Sequence, residues 1–367
     1  RREVYFARSL DWGQNWEIIG RSGNEYLYDP AADCTTVRDA FNLSIQADNS
    51  GRVVVVWEVM CTHQDHVHHH IRSVYSEDFG DTWSAVSLVN SSGDNAAEPV
   101  LATDGNGRFI TAWQDSRGDG SGIYADVLDF NAGSPAWSGT DLRLDGDGGR
   151  SEKLKAAAHH GVAVVTWQDD RLEGSDSLGK IYAVAVNLQS LTVGTESRLD
   201  LEPMGWPDGF PSRDPSIAWT GEHTFAVAWA DERFGLADIL LQVSADDGAD
   251  WLAEPVRAEG DLAGYHASER PILVKGRNHL FTVWEDSRNG KRDLYFNYSV
   301  DLGAGLLVYQ PEDMRIDSDA PGLHESQKPA AAAKGGMIHL VWQDARGTTL
   351  IPPNPNAGIY YRRIIEQ

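Results

Sequence analysis

The stretch His279-Leu280-Phe281-Thr282-Val283-Trp284-Glu285-Asp286-Ser287-Arg288 decides how this chain is built. From His279 to Trp284 it is rich in β-branched and aromatic residues, as a strand requires, and then it turns polar. Its closing phrase, Trp-x-Asp-x-Arg, occurs at Trp113–Arg117, Trp167–Arg171, Trp229–Arg233, Trp284–Arg288 and Trp342–Arg346. A sixth tryptophan, Trp57, ends the run Val53-Val54-Val55-Val56 but is followed by Glu58-Val59-Met60-Cys61. Successive tryptophans are 56, 54, 62, 55 and 58 residues apart. Self-similarity at such a period marks one supersecondary unit copied in series.

Around Trp284 the unit reads as four short strands. Ile272-Leu273-Val274 is the first, Lys275-Gly276-Arg277-Asn278 is a hairpin turn, and His279–Trp284 is the second. Asp293–Ser299 alternates as a third strand after a polar loop, and Asp313–Ile316 is a fourth. The other copies follow this plan, with third strands at Gly122–Ala125, Lys180–Ala183 and Ala237–Gln242. Four antiparallel strands per unit, with no helical period, predict an all-β fold, a β-propeller occupying residues 1–367 as one domain. Six copies carry the first two strands, while an extra third strand, Arg2–Arg8, and a fourth, Trp16–Ile19, open the chain. The last copy ends at its third strand, Gly358–Arg362. The expectation is therefore six blades, the last one closed by the N-terminal strands. A seven-bladed array is the alternative.

Composition narrows the partners. The chain has 367 residues, 31 Lys and Arg against 55 Asp and Glu, and a formal charge of −24. Such a surface repels nucleic acid and anionic membrane. No stretch approaches the roughly 18 apolar residues of a membrane helix, so no membrane insertion is expected. The first residue is Arg, so the chain is either processed or a fragment; removal of a secretory signal would make it a secreted protein, extracellular or periplasmic. Cys34 and Cys61 lie just before the first and just after the second strand of the Trp57 unit, ends that antiparallel pairing brings together. A disulfide between them is expected, as an oxidising compartment allows.

Beyond the third strands a second motif appears. Ser76-Glu77-Asp78-Phe79-Gly80-Asp81-Thr82-Trp83 resembles the Asp-box, or BNR repeat, of sialidases and related propellers. Ser9–Trp16 and Ser244–Trp251 match with Asn15 and Asp250 in place of the threonine, and Ser299-Val300-Asp301-Leu302-Gly303 is a decayed copy. The resemblance implies a sialidase-like β-propeller with the boxes on the face opposite the ligand. It implies a carbohydrate-active protein, a glycoside hydrolase or polysaccharide lyase acting on an acidic glycan, with a glycan or polysaccharide as partner. A non-catalytic propeller that binds a glycan or protein is the alternative. The Phe-Arg-Ile-Pro motif of sialidases is absent, Arg270-Pro271 being the nearest fragment, so no sialidase catalytic residue is carried over.

Candidate site residues follow from the connections on the ligand face that the resemblance implies. Arg117, Arg171, Arg233, Arg288 and Arg346 sit at the second-strand ends and could clamp a carboxylate through bidentate pairs. A motif written five times also fits a structural brace in which each Asp pairs with an Arg. Glu98, Lys153, Asp214, Arg270 and Lys328 stand just before the first strands, with differing signs that do not suit one repetitive job. Lys153, Arg270 and Lys328 are candidates for substrate binding. Tyr265 and His266, and His324 and Glu325, lie in the preceding loops, where a His or Tyr could abstract a proton beside a uronate carboxylate. Glu98 with Asp214, or Glu325, could supply paired carboxylates for glycoside hydrolysis. The segment Cys61–His70 holds five histidines in eight residues, and His66, His68 and His70 would share one side of an extended chain. They are the candidate ligands for a divalent metal, zinc or calcium being the cofactors considered, although exposed strand histidines need no metal.

Overall fold

In a computed structural model of the chain, each tryptophan repeat folds as its own antiparallel sheet. The structure describes residues 2–11, 14–20, 26–28, 38–63, 66–91, 95–117, 121–146, 149–171, 179–202, 209–301, 307–346 and 358–366. Two compact units make up the chain, Arg1–Val165 with Val184–Glu196, and Thr166–Ala183 with Ser197–Gln367. Among the described residues no helix is long and apolar enough to cross a membrane.

The first unit holds the two-stranded sheet of Phe6–Arg8 and Glu17–Ile19. It also holds sheet 1 (Arg38–Ala47, Val53–His63, His66–Ser76, Ser87–Leu88) and sheet 2 (Ala96–Thr103, Arg108–Asp115, Gly122–Asp129, with a fourth position split into Ala136–Trp137 and Leu142–Arg143). Sheet 3, built on Ser151–His159, Val162–Asp169 and Lys180–Asn187, is divided between the units. The second unit contains sheet 4 (Ser212–Gly221, Thr224–Asp231, Asp238–Ser244, Val256–Arg257) and sheet 5 (Ser268–Lys275, His279–Asn289, Lys291–Asp301, then Leu307–Tyr309 and Met314–Arg315). Its last sheet has three strands, Ser326–Lys334, Met337–Asp344 and Gly358–Ile365. The architecture is all-β, with antiparallel sheets of the propeller-blade kind.

Two expectations change. Among the described residues the N-terminal strand pairs with its own successor, Phe6 opposite Ile19, instead of extending the last sheet, which gives seven sheets. A short turn makes that local pairing cheap in chain entropy. The residues placed before the first strands lie inside them. Glu98, Lys153, Asp214, Arg270 and Lys328 all have positive φ, 52° to 60°, as does Asn42 in sheet 1 at 50°. The register shifts at Asn42, Glu98, Asp214, Arg270 and Lys328, in sheets 1, 2, 4 and 5 and in the last sheet, so each of these five is the pivot of a β-bulge. Proline follows four of the pivots, Pro99, Pro215, Pro271 and Pro329, where a bulge leaves no ladder donor to miss.

The tryptophans explain why the repeat needs them. Trp113 packs with Val54, Val56 and Ile71 of sheet 1, Trp284 with Ala228, Ile239 and Leu241 of sheet 4, and Trp342 with Val283 and Leu294 of sheet 5. Each large ring fills the seam to the preceding sheet. At the opposite strand ends, the Ser-x-Asp turns close on themselves. Ser76 Oγ donates to Asp78 at 2.8 Å and accepts from Gly80 N at 2.8 Å, and Asp78 accepts from Thr82 N at 2.8 Å. Ser244, Asp246, Gly248 and Asp250 repeat the pattern.

Candidate functional site

Each Trp-x-Asp-x-Arg phrase folds into one hydrogen-bonded knot. In sheet 5, Asp286 Oδ2 accepts from Trp284 Nε1 at 2.9 Å and from Ser268 Oγ at 3.1 Å, while Oδ1 accepts from Arg288 N at 2.8 Å. The Arg288 guanidinium then returns to Asp286 at 2.6 Å and lies 4.2 Å from the Tyr295 ring centroid. Arg117, Arg171 and Arg346 stack likewise on Tyr124, Tyr182 and Tyr360. Sheet 4 has Leu240 at that place, and Arg233 is instead buried against Asp231 and the Asp200 and Leu201 carbonyls. The five arginines are therefore held within the scaffold. Trp57 is the exception, for with Val59 where the others have Asp, its Nε1 has no acceptor among the described residues.

A second repeat escaped sequence reading. Arg257-Ala258-Glu259-Gly260-Asp261 and Arg315-Ile316-Asp317-Ser318-Asp319 follow the fourth strands of sheets 4 and 5. Asp238, Glu259 and Asp261 gather round Arg257, and Asp293, Asp317 and Asp319 round Arg315. The arginine supplies the cationic centre of each cluster. Burial, and then Asp293 beside it, push the Asp317 carboxyl up to about 7 despite Arg315. These clusters anchor loops: Gly264 N donates to Asp238 at 2.7 Å, and Gly322 N to Asp293 at 3.0 Å.

Unlike charges converge at the bulged strand ends of the second unit. Glu232 meets Arg213 at 2.5 Å, Arg213 meets Glu269 at 3.4 Å, and Glu269 meets Arg292 at 2.8 Å. Arg292 lies 3.6 Å from Glu285, which also binds Arg270 and accepts the Lys328 N–H at 2.7 Å. Glu285 and Glu269 are cross-strand partners, yet their environments differ. Burial raises the Glu285 carboxyl, and the Lys328 N–H, Arg270 and Arg292 only partly offset it. Burial works the same way on Glu269, but the Arg292 hydrogen bond and the charges of Arg292, Arg213 and Arg270 overcome it and lower that carboxyl. Side-chain exposure separates their roles: Glu285 is 0%, Glu269 19%, Glu232 31% and Arg270 45%. Glu285 is a buried support. Glu269, Glu232 and the three arginines form the accessible chemistry.

Sequence reading reached this site through Arg270 and Lys328 and missed Arg213, Glu232, Glu269, Glu285 and Arg292. The available signal was that Arg213 and Glu269 immediately precede the bulge pivots. Asp214 is the pivot beside Arg213, its N–H donating to Gln168 at 3.2 Å. Tyr265 and His266, with rings edge to face at 4.9 Å, occupy the loop leading to Glu269. His324 is bound to Asp319 at 2.9 Å, and Glu325 accepts from Gln327 at 2.9 Å. Glu98 and Lys153 lie in the first unit, Glu98 accepting from Gln114 at 3.1 Å. The rings of His68 and His70 lie parallel, 6.4 Å apart, while His69 pairs with Glu58. The side chain of His66 and the whole of Cys34 lie outside the described residues, and Cys61 is disulfide-bonded.

No protein-family model and no curated protein matches the chain. Among solved structures, it is similar to a Hadza microbial sialidase (14% identity, TM-score 0.45), covering 83% of this chain and 63% of that one. A Trypanosoma rangeli sialidase in complex with the inhibitor DANA aligns at 13% identity and TM-score 0.46, over 90% and 55%. A thermostable family-43 glycoside hydrolase aligns at 12% and 0.38, over 79% and 98%. The chain thus spans 63% and 55% of the two sialidases' lengths. Similarity at this level assigns no residue.

Proposed function

We propose that the chain is a carbohydrate-active β-propeller, a glycoside hydrolase or polysaccharide lyase whose substrate is an acidic glycan. The observation that carries this reading is the chain Glu232–Arg213–Glu269–Arg292–Glu285–Arg270. Guanidinium groups suit the carboxylate of an acidic sugar, and partly exposed carboxylates suit attack or proton transfer at its ring. Arg213, Arg270 and Arg292 are assigned to the substrate, Glu269 and Glu232 to the chemistry, and Glu285 to positioning Arg270. Tyr265 and His266 lie in the loop that leads to Glu269. The test is hydrolysis and β-elimination assayed over sialosides, uronate polysaccharides and neutral glycans. Wild type is expected to cleave an acidic member, Glu269→Gln to lose at least about a hundredfold in kcat, and Arg270→Ala to act mainly through KM.

The second reading, a binding propeller without turnover, is favoured by the five Asp–Arg pairs, which are all consumed by each other. It predicts acidic-glycan binding with no cleavage, unaffected by Glu269→Gln. Six tryptophan repeats support a six-bladed array, and the separate two-stranded N-terminal sheet supports seven. Secretion, a Cys34–Cys61 bond and metal binding by His66, His68 and His70 complete the proposal. Thiol titration of unreduced, unfolded protein should find no free thiol, and a chelator should alter mass only if the histidines hold metal.

A further inference from the structure

Beside the charged chain, two loops of the second unit cross at contact distance. Gly264 has φ +69°, and a Cβ there would stand 1.9 Å from the Phe234 carbonyl oxygen. Gly235 has φ +132°, and its Cβ would meet the Gly264 carbonyl at 3.0 Å. Only glycine permits this approach. The crossing is fixed by Leu236 N donating to Gly264 O at 3.1 Å, by Gly264 N donating to Asp238 at 2.7 Å, and by Gly235 N donating to Glu232 O at 3.0 Å. A loop locked at its base in this way holds its tip in place.

The tips carry what soluble proteins normally keep inside. Phe234 is 41% exposed, Leu262 74% and Tyr265 67%. Phe234 is two residues along the chain from Glu232, and Tyr265 is four from Glu269, so the crossed loops run directly into the carboxylates that flank Arg213. A charged floor beside an aromatic rim has the two surfaces a sugar needs, since a pyranose presents hydroxyl groups at its edge and C–H groups on its face.

Resting on the acidic-glycan reading, we infer that the Phe234–Tyr265 rim is a stacking subsite for a second sugar, so that the ligand is an oligosaccharide or polymer and not a monosaccharide. The acidic sugar occupies the arginines, and its neighbour lays a ring face on the rim. The side chain of Tyr265 stacks; its hydroxyl is not required.

The test is binding of the whole protein to sialylated and uronate oligosaccharides of one to four sugars, by calorimetry. Wild type should bind the longer member of its preferred series about tenfold more tightly than the monosaccharide. Tyr265→Ala and Phe234→Ala should each remove most of that gain while moving monosaccharide affinity less than about twofold, and Tyr265→Phe should restore it. Equal affinity for one sugar and four, or equal losses for both in the alanine variants, would overturn the stacking subsite and leave the arginine site standing. Absence of binding to every acidic probe, or binding that Arg270→Ala does not weaken, would overturn the reading beneath it and this inference together. The tips are exposed, so the variants should melt as wild type does, and that melt is the folding control.

Discussion

Asp286 shows how much a single residue of the repeat holds. It is fully buried and binds Trp284, Ser268 and both the backbone and the guanidinium of Arg288. Asp286→Ala strands those partners, so it should destabilise the protein by about 3–5 kcal/mol in denaturant titrations. Asp344 and Asp317 pull in opposite directions with pH. Burial opposes ionisation of Asp344, but Arg346, Trp342 and Ser326 hold its carboxyl down to about 2. Its stabilising contribution is present above about pH 4 and lost as pH falls through 2. Asp317, raised to about 7, binds its proton more tightly folded than unfolded. Its contribution is complete below about pH 4 and lost as pH rises through 7. Asp317→Asn mimics the protonated form, so melts from pH 5 to 8 should show a flatter dependence than wild type and a higher Tm at pH 8.

At the scale of the strand, the bulge is the device that makes a site out of a repeat. A pivot at positive φ turns successive side chains away from simple alternation and puts Arg213 and Glu269 beside the pivots Asp214 and Arg270. The left-handed conformation costs a side-chain-bearing residue about 1 kcal/mol. Lys153→Gly should therefore stabilise the fold by about 0.5–1 kcal/mol, read as a shift in denaturant midpoint. Arg270→Gly should also relieve the strain, but it removes the guanidinium that we propose meets the substrate. The strand pattern itself was legible in the sequence, because β-branched runs and Gly-Asn turns are local signals. The bulge was not: Arg270-Pro271 looks like a strand entrance, and only the register of Glu269 and Ile272 against the second strand shows otherwise.

For the molecule as a whole, the charge of −24 is the dominant long-range term. Self-repulsion on that scale should make Tm rise as sodium chloride is raised from about 10 mM to about 0.5 M, where screening lengths shrink to a few ångströms. A flat salt response would show that the ion pairs of the acidic surface already offset its self-repulsion locally. The Arg-centred clusters make up only a small part of the charge imbalance, since Arg257 and Arg315 each gather three carboxylates round one positive charge.

The sequence by itself determined the period, the strand order within a repeat and the six tryptophans that mark it, because these are written in neighbouring residues. It also singled out the Trp57 repeat, whose Val59 leaves the ring without the acceptor the others have. Only the tertiary structure decided which polar residues meet. Arg213, Glu232, Glu269, Glu285 and Arg292 come from two sheets and are spread over about eighty residues of chain. Their association depends on bulges, whose register is set by pairing across strands and leaves little trace in local composition.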